Sequence, residues 1–171
     1  GQDSWWKLPK YDWQQPVPEN SLSYVSPVLA KDTVMAGSAS ADLWVKSSEA
    51  DTDLQVTLTE VRPDGKETYV QSGWLRASKR KLDDKRSTDL QPLITQLKSD
   101  EAPLPADEFT PVRVEIYPFA HAFRAGSKIR VIISAPGGDK PVWSFVNLDG
   151  TQDNEVARSA DMPSAVVLPV I

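Results

Sequence analysis

The sequence contains no cysteine, a single histidine, His121, and only two methionines among its 171 residues. Without cysteine, disulfides, thiolate metal sites and thiol redox chemistry are all excluded. With one histidine, an imidazole-based metal centre is excluded as well, which leaves oxygen ligands for a hard cation. Long apolar runs are also missing, since stretches such as Val131-Ile132-Ile133 and Ala165-Val166-Val167-Leu168 fall far short of the ~20 residues of a membrane-spanning helix. There is no excess of basic residues. A net charge of −5 and a pI near 4.9 argue against nucleic acid and against an anionic membrane as partners, because either calls for a basic face. The one basic run, Lys79-Arg80-Lys81, is followed at once by Asp83-Asp84 and reads as a solvated loop. Gly1-Gln2-Asp3-Ser4 has neither the basic start nor the apolar stretch of a signal peptide, and the chain reads as a segment of a longer protein whose compartment stays open.

What is present is proline, at 14 residues, and tryptophan, at six, in a chain with enough apolar side chains for one core. From Trp5 to Pro18 aromatics alternate with proline (Trp5, Trp6, Pro9, Tyr11, Trp13, Pro16, Pro18), which rules out a helix and suits an extended arm over residues 1–20. Residues 21–171 read as a β-domain. Short extended pieces are expected at Leu22–Val25 and Asp32–Gly37, with a bend or bulge at Gly37, followed by a strand from Ser38 to Lys46. The cleanest alternation follows: Leu54, Val56 and Leu58 on one face, Gln55, Thr57 and Thr59 on the other, predicting a half-buried antiparallel strand. Pro63-Asp64-Gly65-Lys66 has the chemistry of a hairpin turn, and Glu67–Ala77 is its return strand. Between Ser78 and Phe109 the period is lost in a crossover, with one helical turn begun by Pro92 and carrying Leu90, Leu93, Ile94 and Leu97. Further strands are expected at Val112–Ile116 and Lys128–Ser134, with an apolar segment at Val142–Val146 and a closing strand at Ala165–Ile171. Around nine strands with turn chemistry between them give an all-β, antiparallel sandwich of the jelly-roll kind.

A catalytic site is hard to assemble. No Gly-x-Ser-x-Gly nucleophile elbow occurs, and Gly37-Ser38-Ala39-Ser40 lacks both the second glycine and the helix that follows it. His121, within Pro118-Phe119-Ala120-His121-Ala122-Phe123, is expected to satisfy nearby backbone groups. The dense acidic cluster Glu49, Asp51 and Asp53 is a weak Ca²⁺ candidate. The competing reading is a turn closed by side-chain-to-backbone bonds. Gly137-Gly138 lacks the lysine of a phosphate-binding loop, and no cofactor is implied. Trp44, Trp74 and Trp143 are expected in the core. Surplus tryptophan also leaves open stacking on a sugar, and thus a carbohydrate-binding module.

The order of segments adds a further reading. Val28 to Gly37, Leu43-Trp44-Val45-Lys46-Ser47-Ser48, Asp51-Thr52-Asp53-Leu54, Pro63-Asp64-Gly65, the run from Val112 to Val131 and the closing Val167-Leu168-Pro169-Val170 together resemble the C-terminal domain of cocaine-esterase-like (CocE/NonD) hydrolases. X-Pro dipeptidyl-peptidases share that domain. The resemblance implies a galactose-binding-like jelly roll packed on an α/β-hydrolase domain that carries a Ser-His-Asp triad, lies N-terminal to Gly1 and cleaves esters or amides. It implies no catalytic residue here and a role in shaping the hydrolase cleft. Trp5, Trp6, Trp13, Phe119, His121 and Phe123 become the candidate interdomain contacts. Without that surface the arm is expected to fold back or to self-associate as a homo-oligomer.

Overall fold

The computed structural model describes residues 13–137 and 145–171, and its strands follow the alternation of the sequence. They are β1 (Ser21–Val25), β2 (Thr33–Ser47), β3 (Asp53–Val61), β4 (Glu67–Arg76), β5 (Thr110–Phe123), β6 (Lys128–Ser134), β7 (Asn154–Val156) and β8 (Ala165–Val167). Two sheets form, one ordered β1-β6-β3-β4 and the other β5-β2-β7, with β8 also on β2. Among the described residues every strand pairing is antiparallel, as the sandwich reading expects. Among the described residues there are eight strands: Asp32–Gly37 and Ser38–Lys46 fuse into the 15-residue β2, whose pairing with β5 shifts register at Gly37/Ala39, β7 was not expected, and most of the expected Val142–Val146 segment falls outside the described residues. Gly37 takes a φ of +129°, so the anticipated bulge is where a side chain would be strained.

The expected hairpin turn forms after β3. Gly65, at φ +79°, donates its N–H to the Arg62 carbonyl, and Asp64 accepts the Lys66 N–H. β3 itself departs from expectation. It lies between β6 and β4, and Gln55, Thr57 and Thr59 are as buried as Leu54, Val56 and Leu58. These polar groups are satisfied among themselves: Gln55 bonds Thr57 (3.1 Å), Thr57 bonds Ser72 (2.9 Å), and the Trp74 indole donates to Gln55 (2.8 Å). The opposite face joins Leu43, Val45, Val112, Val114, Ile116 and Ile133 in the core, where each buried side chain contributes about 1.5–3 kcal/mol.

The crossover contains no helical turn at Pro92. Proline lacks an N–H, the Leu93 N–H is taken by Ser87 Oγ, and the Leu93 carbonyl accepts from Asp83, so the groups a helix would use are spent. Leu82 bridges Ile94 instead. Nor is the basic run merely solvated. Ala77–Lys79 forms a 3-10 turn, Lys79 pairs with Glu101, and Arg80 donates to the carbonyls of Ala77, Ala102 and Pro103, stitching the crossover's two ends together.

On one side the sandwich closes where β4 crosses β5. A Cβ on Gly73 would lie 1.7 Å from the Glu115 carbonyl oxygen, so only glycine allows this approach. On the other side the C-terminal tail runs antiparallel along β2 in pieces. β7 pairs with Val45–Ser47, β8 with Ser40–Asp42, and Val170 bridges Met35. The closing strand is therefore shorter than Ala165–Ile171, consistent with Pro169 interrupting its donors.

Candidate interdomain edge

The β4–β5 crossing gathers several of the candidate contacts along one edge. Trp13 lies with its ring centroid 6.5 Å from Tyr69 on β4. The Tyr69 hydroxyl donates to Gln71 (3.1 Å), whose amide donates to the Pro118 carbonyl (3.2 Å), next to the half-buried Phe119. Tyr117, 47% exposed, stacks on Trp74 at 5.4 Å. Trp5 and Trp6, like Trp143, fall outside the described residues. Phe123 requires correction as a surface contact: it is 0% exposed, belongs to the core, and meets the His121 ring edge-on at 4.6 Å. Trp44 and Trp74 are corrected in the opposite sense. Both are half-buried on faces turned away from Leu43 and Leu75 and lie outside the core cluster.

His121 bonds a side chain rather than the expected backbone groups. Its Nε2 lies 2.8 Å from Glu60 Oε2, and Glu60 Oε1 accepts the Arg124 N–H at 3.1 Å. Burial alone lifts the Glu60 carboxyl, but the Ser127 hydroxyl, the Arg124 N–H and the His121 ring outweigh it and hold the pKa below its ordinary value. A carboxyl lowered in the fold stabilises it above its unfolded pKa, 4.5, and that contribution disappears as pH falls through the folded value. Urea unfolding between pH 7 and pH 3 is expected to show Glu60→Gln flattening the acid loss. Asp32, held low by the Ala125 N–H and Arg124, and Glu101, held low by Lys79, keep a residual slope in that variant. An acid slope in Glu60→Gln equal to that of the wild type would refute the assignment. Sequence reasoning passed over Glu60, although a signal was present: it continues the phase of Leu54, Val56 and Leu58, and a carboxylate in a core phase requires partners.

The Ca²⁺ candidates do not converge. Asp51 Oδ1 accepts the N–H groups of Thr52 (2.9 Å) and Ser78 (2.7 Å), while Asp53 holds Arg76 through both oxygens (2.8 and 2.9 Å) and also accepts the Leu148 N–H (2.9 Å). Glu49 is exposed, and no acidic or histidine cluster among the described residues could hold a metal ion. The turn reading holds for Asp51, whereas Asp53 serves mainly as an ion-pair partner. The same Asp53–Arg76 pair lines a cleft of about 230 Å³ with Trp74, Phe145 and Asn147. An aromatic beside polar groups is the chemistry of a sugar site, yet Arg76 is already bound to Asp53 and to the Val146 carbonyl (3.0 Å).

Residues 4–161 match the family described as the X-Pro dipeptidyl-peptidase C-terminal non-catalytic domain. The chain belongs to this family. A Mycobacterium bovis protein provisionally named a serine esterase is 31% identical over 153 residues, covering 88% of this chain and 24% of the relative. The cocaine esterase of a Rhodococcus species is 27% identical over 170 residues, covering 92% and 27%. Among solved structures, a CocE/NonD family hydrolase of Staphylococcus aureus superposes with a TM-score of 0.79 at 23% identity, over 91% of this chain and 31% of that one. An aminopeptidase of a marine-sediment archaeon gives a TM-score of 0.70 at 21% identity, over 94% and 28%. The solved likenesses establish the fold, while the family match bears out the resemblance drawn from segment order.

The chain spans about a quarter of the length of the curated relatives it matches. The chain belongs to a non-catalytic domain family, and the His121–Glu60 pair ties β3 to the end of β5. Among the described residues no helix is long and apolar enough to cross a membrane.

Proposed function

We propose that this chain is the C-terminal partner of a serine hydrolase, packed on an N-terminal α/β-hydrolase domain and forming part of the wall of its substrate cleft. The observation that carries this reading is the match of residues 4–161 to a non-catalytic domain family whose members here are three to four times longer than the chain. The aromatic edge of Trp13, Tyr69, Tyr117 and Phe119, with His121 beside it, supplies the interdomain contact. Half-buried rings around an exposed Tyr117, with polar groups beside them, suit such a surface. Esters or amides, X-Pro peptides included, are the substrate class of the partner domain. Hydrolysis of a p-nitrophenyl ester is measured on the parent protein with and without this domain. Deletion is expected to lower both activity and melting temperature, and unchanged activity, stability and oligomeric state would sink the proposal. A carbohydrate role rests on the Trp74–Phe145 cleft alone. Calorimetric titration with millimolar sugars that gives heat lost on Trp74→Ala would favour it instead.

A further inference from the structure

On the side away from the β4–β5 crossing, the sheet edges β1 and β7/β8 are not joined by backbone pairing. Between them lies an apolar cavity of about 250 Å³, partly open to solvent and lined by Tyr24, Leu43, Ile133, Val156, Val166 and Arg158, among others. Leu43 and Ile133 are core residues, so the cavity reaches into the space between the sheets. It persists because the C-terminal tail leaves β2 after Ala157 and returns only at Ser164.

Among the described residues Arg158 is the only charged one in this lining. Its guanidinium stands 5.0 Å over the Tyr24 ring and makes no ion pair or hydrogen bond with any described residue, so its N–H donors remain available at the cavity mouth. Ser164 also lines the cavity. Its Oγ accepts the Trp44 N–H at 3.0 Å and still carries an O–H to donate. Apolar walls with one unpaired cation at the rim select an occupant with an apolar body and one anionic end. At ~30 Å³ for each water-sized unit, the volume takes about eight non-hydrogen atoms.

We propose that this cavity binds an aliphatic monocarboxylate of octanoate size, its tail between the sheets and its carboxylate on the Arg158 guanidinium. The lining residues named here are all of this chain, so the proposal stands independently of the accessory role. A neutral alcohol gains the apolar contact but forfeits the charge-assisted pair, so the two ligands separate the contributions.

Isothermal titration of the chain with octanoate and with 1-octanol tests the site, in the wild type, in Arg158→Gln and in Val156→Phe, which fills the cavity. The wild type is expected to bind octanoate with a Kd of about 1 mM or tighter. Arg158→Gln is expected to weaken octanoate about tenfold while changing 1-octanol by less than about twofold. Val156→Phe weakens both, and where circular dichroism shows it unfolded, the Arg158→Gln comparison decides. Absence of octanoate binding at about 10 mM, equal affinity of wild type for octanol and octanoate, or an Arg158→Gln variant that keeps full octanoate affinity would each overturn the proposal.

Discussion

Replacing Gly73 by alanine is expected to destabilise the chain by at least ~3 kcal/mol, a large share of the ~5–15 kcal/mol that holds a domain together. The added Cβ would lie 1.7 Å from the Glu115 carbonyl oxygen, 2.6 Å from its carbon and 2.9 Å from the Ile116 Cα, all backbone atoms that no rotamer change can move. Relief requires β4 to back away from β5 by more than about 1 Å, which pulls on the β3–β4 ladder from Asp53↔Arg76 to Val61↔Glu67. Alanine's better backbone entropy offsets only about 0.5–1 kcal/mol of this. Gly65 is the control. It has nothing within 4 Å of an added Cβ, and its φ of +79° alone makes Gly65→Ala cost about 1–2 kcal/mol. Urea midpoints of the two variants separate close packing from backbone strain. A Gly73→Ala midpoint equal to that of the wild type would show that the two edges are not locked.

Gly73 also marks where sequence reading runs out. Its place in a strand was readable from the alternation of Tyr69, Gln71, Gly73 and Leu75, but the contact that excludes a side chain comes from β5, more than forty residues later. Local signals fared best where the chemistry is local: the Pro63–Lys66 turn, the Gly37 bulge and the short β1 all follow from neighbours in the chain. They failed where sheet position decides. The polar face of β3 is buried among partners supplied by β4, the Trp74 indole on Gln55 and Ser72 on Thr57, and the Pro92 segment stays irregular because Ser87 and Asp83 take its backbone groups. Charged residues showed the same limit. Asp53 was visible as a carboxylate in a cluster, but its commitment to Arg76 depends on hairpin register, which no count of acidic residues conveys. The family was legible for a different reason, since the order of five or six short segments is a property of the whole chain.

Truncation of Phe123 to alanine is expected to cost about 3–5 kcal/mol in this chain without any partner domain. The segment Phe119–Phe123 suggested a surface for a neighbouring domain, but residues on a strand alternate, and only part of such a run can face outward. Phe123 ends β5 opposite Thr33, is 0% exposed, and packs with Met35 in the core cluster, while its ring meets His121 edge-on at 4.6 Å. Removing it opens a cavity and also withdraws the wall against which the imidazole is set on Glu60. Phe119 is the comparison: it is half-buried against the core, and Phe119→Ala should cost only about 1–2 kcal/mol in the isolated chain. Under the proposed interdomain role the ranking is expected to change in the parent protein, because Phe119→Ala then adds an interdomain loss that Phe123→Ala does not. Urea unfolding of both variants, in the chain and in the parent, measures the four values. A Phe123→Ala variant as stable as the wild type in the isolated chain would overturn the core role of this ring.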